Sequence, residues 1–121
     1  KLVDCADEGN LTDVDLLLRA GANINSYDAG QTALYLAAVH GNEKLINFLL
    51  DRGADINLQD QNGNTALIGA ACSGYYDAIK LLLCRGADVN LYGPDGNVEQ
   101  ILSQQDGHED VLGLIQRQRR I

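Results

Sequence analysis

Histidine and cysteine are the side chains here best suited to acid–base, nucleophilic or metal chemistry, and their placement argues against all three. The two histidines, His40 and His108, fall in repeat units about two periods apart. That separation speaks against a shared catalytic or metal-binding role. Cys5, Cys72 and Cys84 are odd in number and lack the paired spacing of a zinc site. They read as reduced thiols of a cytosolic, or nuclear, compartment. Cys84 falls at the outer end of a helix and reads as an ordinary surface thiol. No Ser or Cys has the His and acid partners that nucleophilic attack requires. The glycines are followed by no Lys-Ser/Thr pair that would cradle a phosphate. No enzyme activity, metal, cofactor or small-molecule substrate is therefore expected.

Charge narrows the partners further. Seventeen acidic against nine basic residues give a formal charge of −8. Such a surface repels phosphate backbones and anionic headgroups, so neither nucleic acid nor membrane is an expected partner. The basic tail of Arg117, Arg119 and Arg120 reads as a solvated helix end, where cations suit the helix dipole. Asn10-Leu-Thr12 is formally a glycosylation sequon, but nothing else suggests secretion. No apolar run approaches the roughly 20 residues that span a bilayer.

The elements that must position any functional side chain recur. Gly30 and Gly63, Gly41 and Gly74, and Gly53 and Gly86 are each 33 residues apart. Gly30-Gln-Thr-Ala-Leu returns as Gly63-Asn-Thr-Ala-Leu, and Arg52-Gly-Ala-Asp-Ile-Asn returns as Arg85-Gly-Ala-Asp-Val-Asn. A fixed period of this length implies a stacked array whose units bury their apolar faces only against neighbours. Within the repeat from Asp60, Asp60-Gln-Asn-Gly63 signals a tight turn and Thr65 an N-cap. Ala66, Leu67, Ala70 and Ala71 follow at helical spacing, and Gly74 ends that helix. A second helix over about 77–84 buries Ile79, Leu82 and Leu83. Arg85 then sits where a cation favours the helix C-terminus.

The chain divides into units of about 1–26, 27–59, 60–92 and 93–121, forming one domain. The first has helices but no turn finger of its own, and places Asp13 where Leu45 and Ala78 stand in its successors. In the last, Glu99, Gln100, Ser103 and Gln104 replace Ala66, Leu67, Ala70 and Ala71, giving the wet face that a terminal unit needs for solubility.

Gly30-Gln-Thr-Ala-Leu-Tyr-Leu-Ala-Ala38, Gly41-Asn42, Leu49-Leu50 and Gly53-Ala-Asp-Ile-Asn57 together resemble an ankyrin repeat, and 60–90 resembles a second. The resemblance covers essentially the whole chain: two full repeats, a half-degenerate opening repeat and a degenerate closing one. It implies an all-α solenoid of helix-turn-helix units with β-turn fingers. The family's signature proline is replaced by Ala33 and Ala66, and its histidine by Tyr35 and Ile68. Gly69 stands where Leu36 stands one unit earlier, which should weaken that helix by roughly 1 kcal/mol. His108 falls in a Gly-His-Glu segment where the family often has histidine, which implies a structural role. Asn57 and Asn90 resemble asparagines that hydroxylases modify in this family, although tying down the loop suffices to explain them.

The resemblance also implies a non-catalytic protein-binding module whose concave face is made of fingers and first helices. Carried over by position, the first unit gives Asp7 and Glu8, and the second Tyr27, Asp28, Ala29, Gln31, Val39 and His40. The third gives Gln59, Gln61, Asn62, Asn64, Cys72, Ser73 and Tyr75. The fourth gives Tyr92, Asp95, Asn97, Gln105 and Asp106. Acidic Asp7, Glu8, Asp28, Asp95 and Asp106 beside Tyr27, Tyr75 and Tyr92 suggest a basic or polar protein or peptide partner. A monomer is expected. The alternative is a structural or regulatory segment of a larger polypeptide that makes intramolecular contacts.

Overall fold

The computed structural model describes residues 9, 11–25, 32–94, 96–104 and 109–119. Among these are seven helices: α1 (Leu11–Arg19), α2 (Ala33–Val39), α3 (Glu43–Asp51), α4 (Ala66–Ser73), α5 (Tyr76–Cys84), α6 (Val98–Leu102) and α7 (Glu109–Arg119). No strand occurs among the described residues beyond an isolated bridge between Gly93 and Gly96. The fold is the all-α solenoid expected. First helices α2, α4 and α6 stack in one row, and second helices α3, α5 and α7 in another.

Local chemistry sets each helix boundary. Thr32 and Thr65, both buried, accept hydrogen bonds from the backbone N–H of Tyr35 and Ile68, each at 3.2 Å. Each thus satisfies an N–H that has no partner within its helix. Gly63 and Gly74 take φ of +88° and +77°, a left-handed conformation that a residue with a Cβ resists. The finger preceding α4 is built by Asp60, which is 8 % exposed. Its carboxylate accepts from the backbone N–H of Asn62 and of Asn64, both at 2.9 Å.

Alanine permits the stacking. Ala37, Ala38, Ala70 and Ala71 are fully buried between neighbouring first helices, while Leu45, Ile46, Leu49, Ile79 and Leu82 fill the layer beneath. In the last unit Val98, Ile101 and Leu102 are buried, while Gln100, Ser103 and Gln104 are exposed and Glu99 half-exposed. That is the wet face anticipated from composition. Asp13 is likewise exposed where Leu45 and Ala78 are buried.

Two ladders of polar contacts join successive units. The Asn25 side-chain oxygen accepts from the Asp55 backbone N–H at 2.9 Å, and that of Asn57 from the Asp88 N–H at 2.8 Å. Along the second helices, Arg52 donates to Asp15 at 3.0 Å and stands 4.5 Å from the Phe48 ring centroid. Arg85 donates to Asp51 at 2.9 Å and to Asn47 at 3.3 Å. Its role therefore extends beyond the helix dipole to a contact with the preceding unit.

The two ladders should differ in strength. Asn57→Ala leaves a backbone N–H without its bond and should lower the unfolding free energy by about 1 kcal/mol. Breaking the exposed Arg85–Asp51 pair with Arg85→Gln should cost about 0–1 kcal/mol, and less at high salt. Urea unfolding of both variants at two salt concentrations checks the order. A larger loss from Arg85→Gln would reverse the assignment.

Candidate functional site

The expected binding face falls on the turns and ends of the first-helix row. His40 and Tyr75 sit just past the ends of α2 and α4, and Cys72 and Ser73 in the last turn of α4. Gln61 and Asn62 lie on the finger between Asp60 and Gly63. All six are exposed, as is Tyr92 on the next finger. Tyr75 and Tyr92 expose 45 % and 59 % of their surface. Asp7, Glu8, Tyr27, Asp28, Ala29, Gln31, Asp95, Gln105 and Asp106 lie outside the described residues, as do Cys5, His108 and Arg120.

Several residues expected on this face carry structural bonds instead. Asn97 is 4 % exposed, and its side chain accepts from the Gln100 N–H at 2.9 Å while Gln100 returns the bond to Asn97 N–H at 3.1 Å. This reciprocal cap corrects its assignment to a partner-facing surface. The cause is Val98, which occupies the capping position of Thr65 but has no hydroxyl, so the cap moves back one residue. Gln59 is exposed, yet its amide donates to the Gly63 carbonyl at 2.9 Å and the Tyr92 carbonyl at 3.3 Å, tying one finger to the next. Asn64 is half-buried against Gly93, where a Cβ would meet its side-chain oxygen at 2.5 Å. Val39 is half-buried against α4.

Tyr35 and Gly69, read from sequence as two separate departures, form one contact. A Cβ on Gly69 would lie 2.8 Å from Tyr35 Cε1 and 3.0 Å from Val39 Cγ2. The glycine that weakens α4 by propensity makes room for the large ring that replaces the family's histidine. Burial pushes the Tyr35 hydroxyl above its usual range, with Asp60 and Cys72 adding to the shift through their negative charge. Tyr35 is thus half-buried against α4, a contact that its sequence position did not mark.

A second place was marked by the sequence only at Tyr75. A cleft of about 310 Å³ opens between the turns that link first to second helices in adjacent units. It is lined by Gly41, Glu43, Gly74, Tyr75, Tyr76, Asp77 and Ala78. The available signal was the replacement of Asn42-Glu43 by Tyr75-Tyr76 one period later. Asn42 caps α3 by accepting from the Leu45 N–H at 3.2 Å, whereas Tyr75 makes no side-chain cap on α5. Cys72 and Cys84 are exposed and in no disulfide. No three His, Cys, Asp or Glu side chains converge to hold a metal among the described residues. None of the helices searched is long and apolar enough to cross a membrane.

A family model described as ankyrin repeats, in three copies, matches residues 2–92. The segment from Gly93 onward, where the repeat degenerates, lies outside that match. The chain is 41 % identical over 64 residues to the rat ankyrin repeat and SAM domain-containing protein 6, covering 51 % of this chain and 7 % of that protein. It is 44 % identical over 52 residues to an L-asparaginase of Dirofilaria immitis, covering 42 % and 9 %. It is 40 % identical over 60 residues to the human mitochondrial disaggregase, covering 49 % and 8 %. Each match therefore spans less than a tenth of a much longer relative.

The Tyr35–Gly69 contact has two consequences. Gly69→Ala should not give the roughly 1 kcal/mol that helix propensity offers, because the added methyl overpacks the ring. In a Tyr35→Ala background the same change should cost less, since only the Val39 contact remains, and a double-mutant cycle by urea unfolding measures the coupling; additive effects would refute the contact. Because its folded pKa is raised, Tyr35 contributes stability that is fully present below about pH 10, the unfolded value. That contribution is lost as pH rises from there through the folded pKa. Tyr35→Phe should therefore lose less stability than the parent between pH ~9 and pH ~11, as read from urea midpoints.

Proposed function

This chain belongs to the ankyrin-repeat family, and from that premise we propose that it is a single array over residues 1–121 that binds a basic or polar protein or peptide. Ankyrin repeats are generally protein-interaction modules and generally non-catalytic, and we propose no enzyme activity here. The observation that carries this reading is the exposure of two tyrosines, Tyr75 and Tyr92, together with that of Gln61, Asn62, Cys72 and Ser73. Rigid amphipathic rings of this kind supply contact area with little loss of side-chain freedom. The charge of −8 favours a cationic partner. The acidic rim of Asp7, Glu8, Asp28, Asp95 and Asp106 and the ring of Tyr27 belong to the same proposal, as does a reducing, cytosolic or nuclear location.

A second reading has its own support. The relatives are many times longer than the matched segment, which suits an array that packs against another part of one polypeptide. Hydrogen exchange at Tyr75 and Tyr92, slower in a longer natural polypeptide than in the isolated array, would favour it.

Panning a random peptide display library on the array tests the first reading. Recovered peptides should be rich in Lys and Arg, and should associate more slowly at physiological than at low ionic strength. Tyr75→Ala and Tyr92→Ala should each weaken binding about tenfold, or ~1.4 kcal/mol. Binding indifferent to salt and to both substitutions would place the partner surface elsewhere.

A further inference from the structure

The cleft between the helix-linking turns of the second and third units combines two ring systems with two carboxylates. Tyr75 and Tyr76 supply the rings, and Glu43 and Asp77, both exposed, supply the carboxylates. No Lys, Arg or His stands among its described lining residues. Its volume of about 310 Å³ lies at the lower end of small-molecule sites, roughly 300–1,000 Å³. That is room for one long side chain.

The position of Tyr75 is the telling feature. Its counterpart Asn42 caps the following helix, whereas Tyr75 leaves α5 without a side-chain cap. Such a cap is ordinarily worth about 1 kcal/mol. The ring instead lies across Gly41, where a Cβ would come within 2.5–2.9 Å of three ring atoms. Local helix chemistry is thus set aside for an exposed aromatic wall, the kind of departure that concentrates at functional sites.

We propose that this cleft receives a single arginine side chain of a partner protein, its guanidinium stacked on the tyrosine wall and paired with Glu43 and Asp77. The inference rests on the protein-binding reading above and gives that partner's anchor a chemical identity. Guanidinium suits the site better than ammonium because it is planar, stacks on aromatic faces and donates in a fork to carboxylates. The chain already makes this arrangement internally: Arg52 stands 4.5 Å from the Phe48 ring centroid while donating to Asp15 at 3.0 Å.

The test is a backbone-amide NMR titration of the array with N-acetyl-arginine amide, and in parallel with the lysine and citrulline analogues. Arginine should give saturable shifts at Gly41, Glu43, Gly74 and Asp77. Lysine should bind severalfold more weakly, and citrulline, which keeps the shape without the charge, should give no saturable shift. Glu43→Gln with Asp77→Asn should reduce arginine affinity about tenfold, and Tyr75→Ala severalfold, with thermal unfolding confirming that each variant folds. Equal binding of lysine or citrulline, or no saturable shift at the cleft, would overturn the assignment. Shifts confined to Gln61, Asn62 and Tyr92 would overturn it while leaving the protein-binding reading intact. Library panning decides that wider reading independently.

Discussion

Close approach of one first helix to the next is the constraint on which the remaining structure depends. It is met by side chains too small to hold helices apart: Ala37, Ala38, Ala70 and Ala71, all without solvent exposure. Because a helical pair of this size cannot bury both faces within itself, each unit finishes its core with its neighbour's residues. The caps, the fingers and the polar ladders all operate inside the spacing that this contact imposes. The Tyr35–Gly69 contact shows how narrow that spacing is, since enlarging one partner requires removing the side chain of the other.

Sequence exposes what is local. Thr65 and Gly74 were legible because a cap acts on an N–H three residues away and a left-handed turn on its own φ. The fold follows from periodicity, because each unit repeats the same local signals 33 residues on. Contacts between units were harder to see. Tyr35 and Gly69 are one period plus one residue apart, so in sequence each bears on its own helix and only stacking brings one against the other. Asn97 aligns in register with Asn64, but the lack of a hydroxyl at Val98 hands it the duty of Thr65. The cleft was marked only at Tyr75 because its walls come from two turns that only stacking brings together.

Scaffold and surface divide along these lines. Positions that retain the period hold helix ends, fingers and ladders. Those that break it, including Tyr35, Gly69, Tyr75 and Tyr76, cluster along the junction between the second and third units. That junction is where the array acquires an individual shape, with the exposed ring of Tyr75 lying across Gly41.

The asparagine ladder carries a directional consequence. Each rung runs from a backbone amide in a later unit to a side chain in the one before it, Asp55 to Asn25 and Asp88 to Asn57. The donor is main chain, so any residue except proline could stand at 55 or 88 without breaking the rung, whereas the acceptor is confined to asparagine's shape. A tensile load drawn along the array would meet these rungs in series, one junction at a time. Each rung belongs to one junction, so the loss of one leaves the donor and acceptor of the other in place.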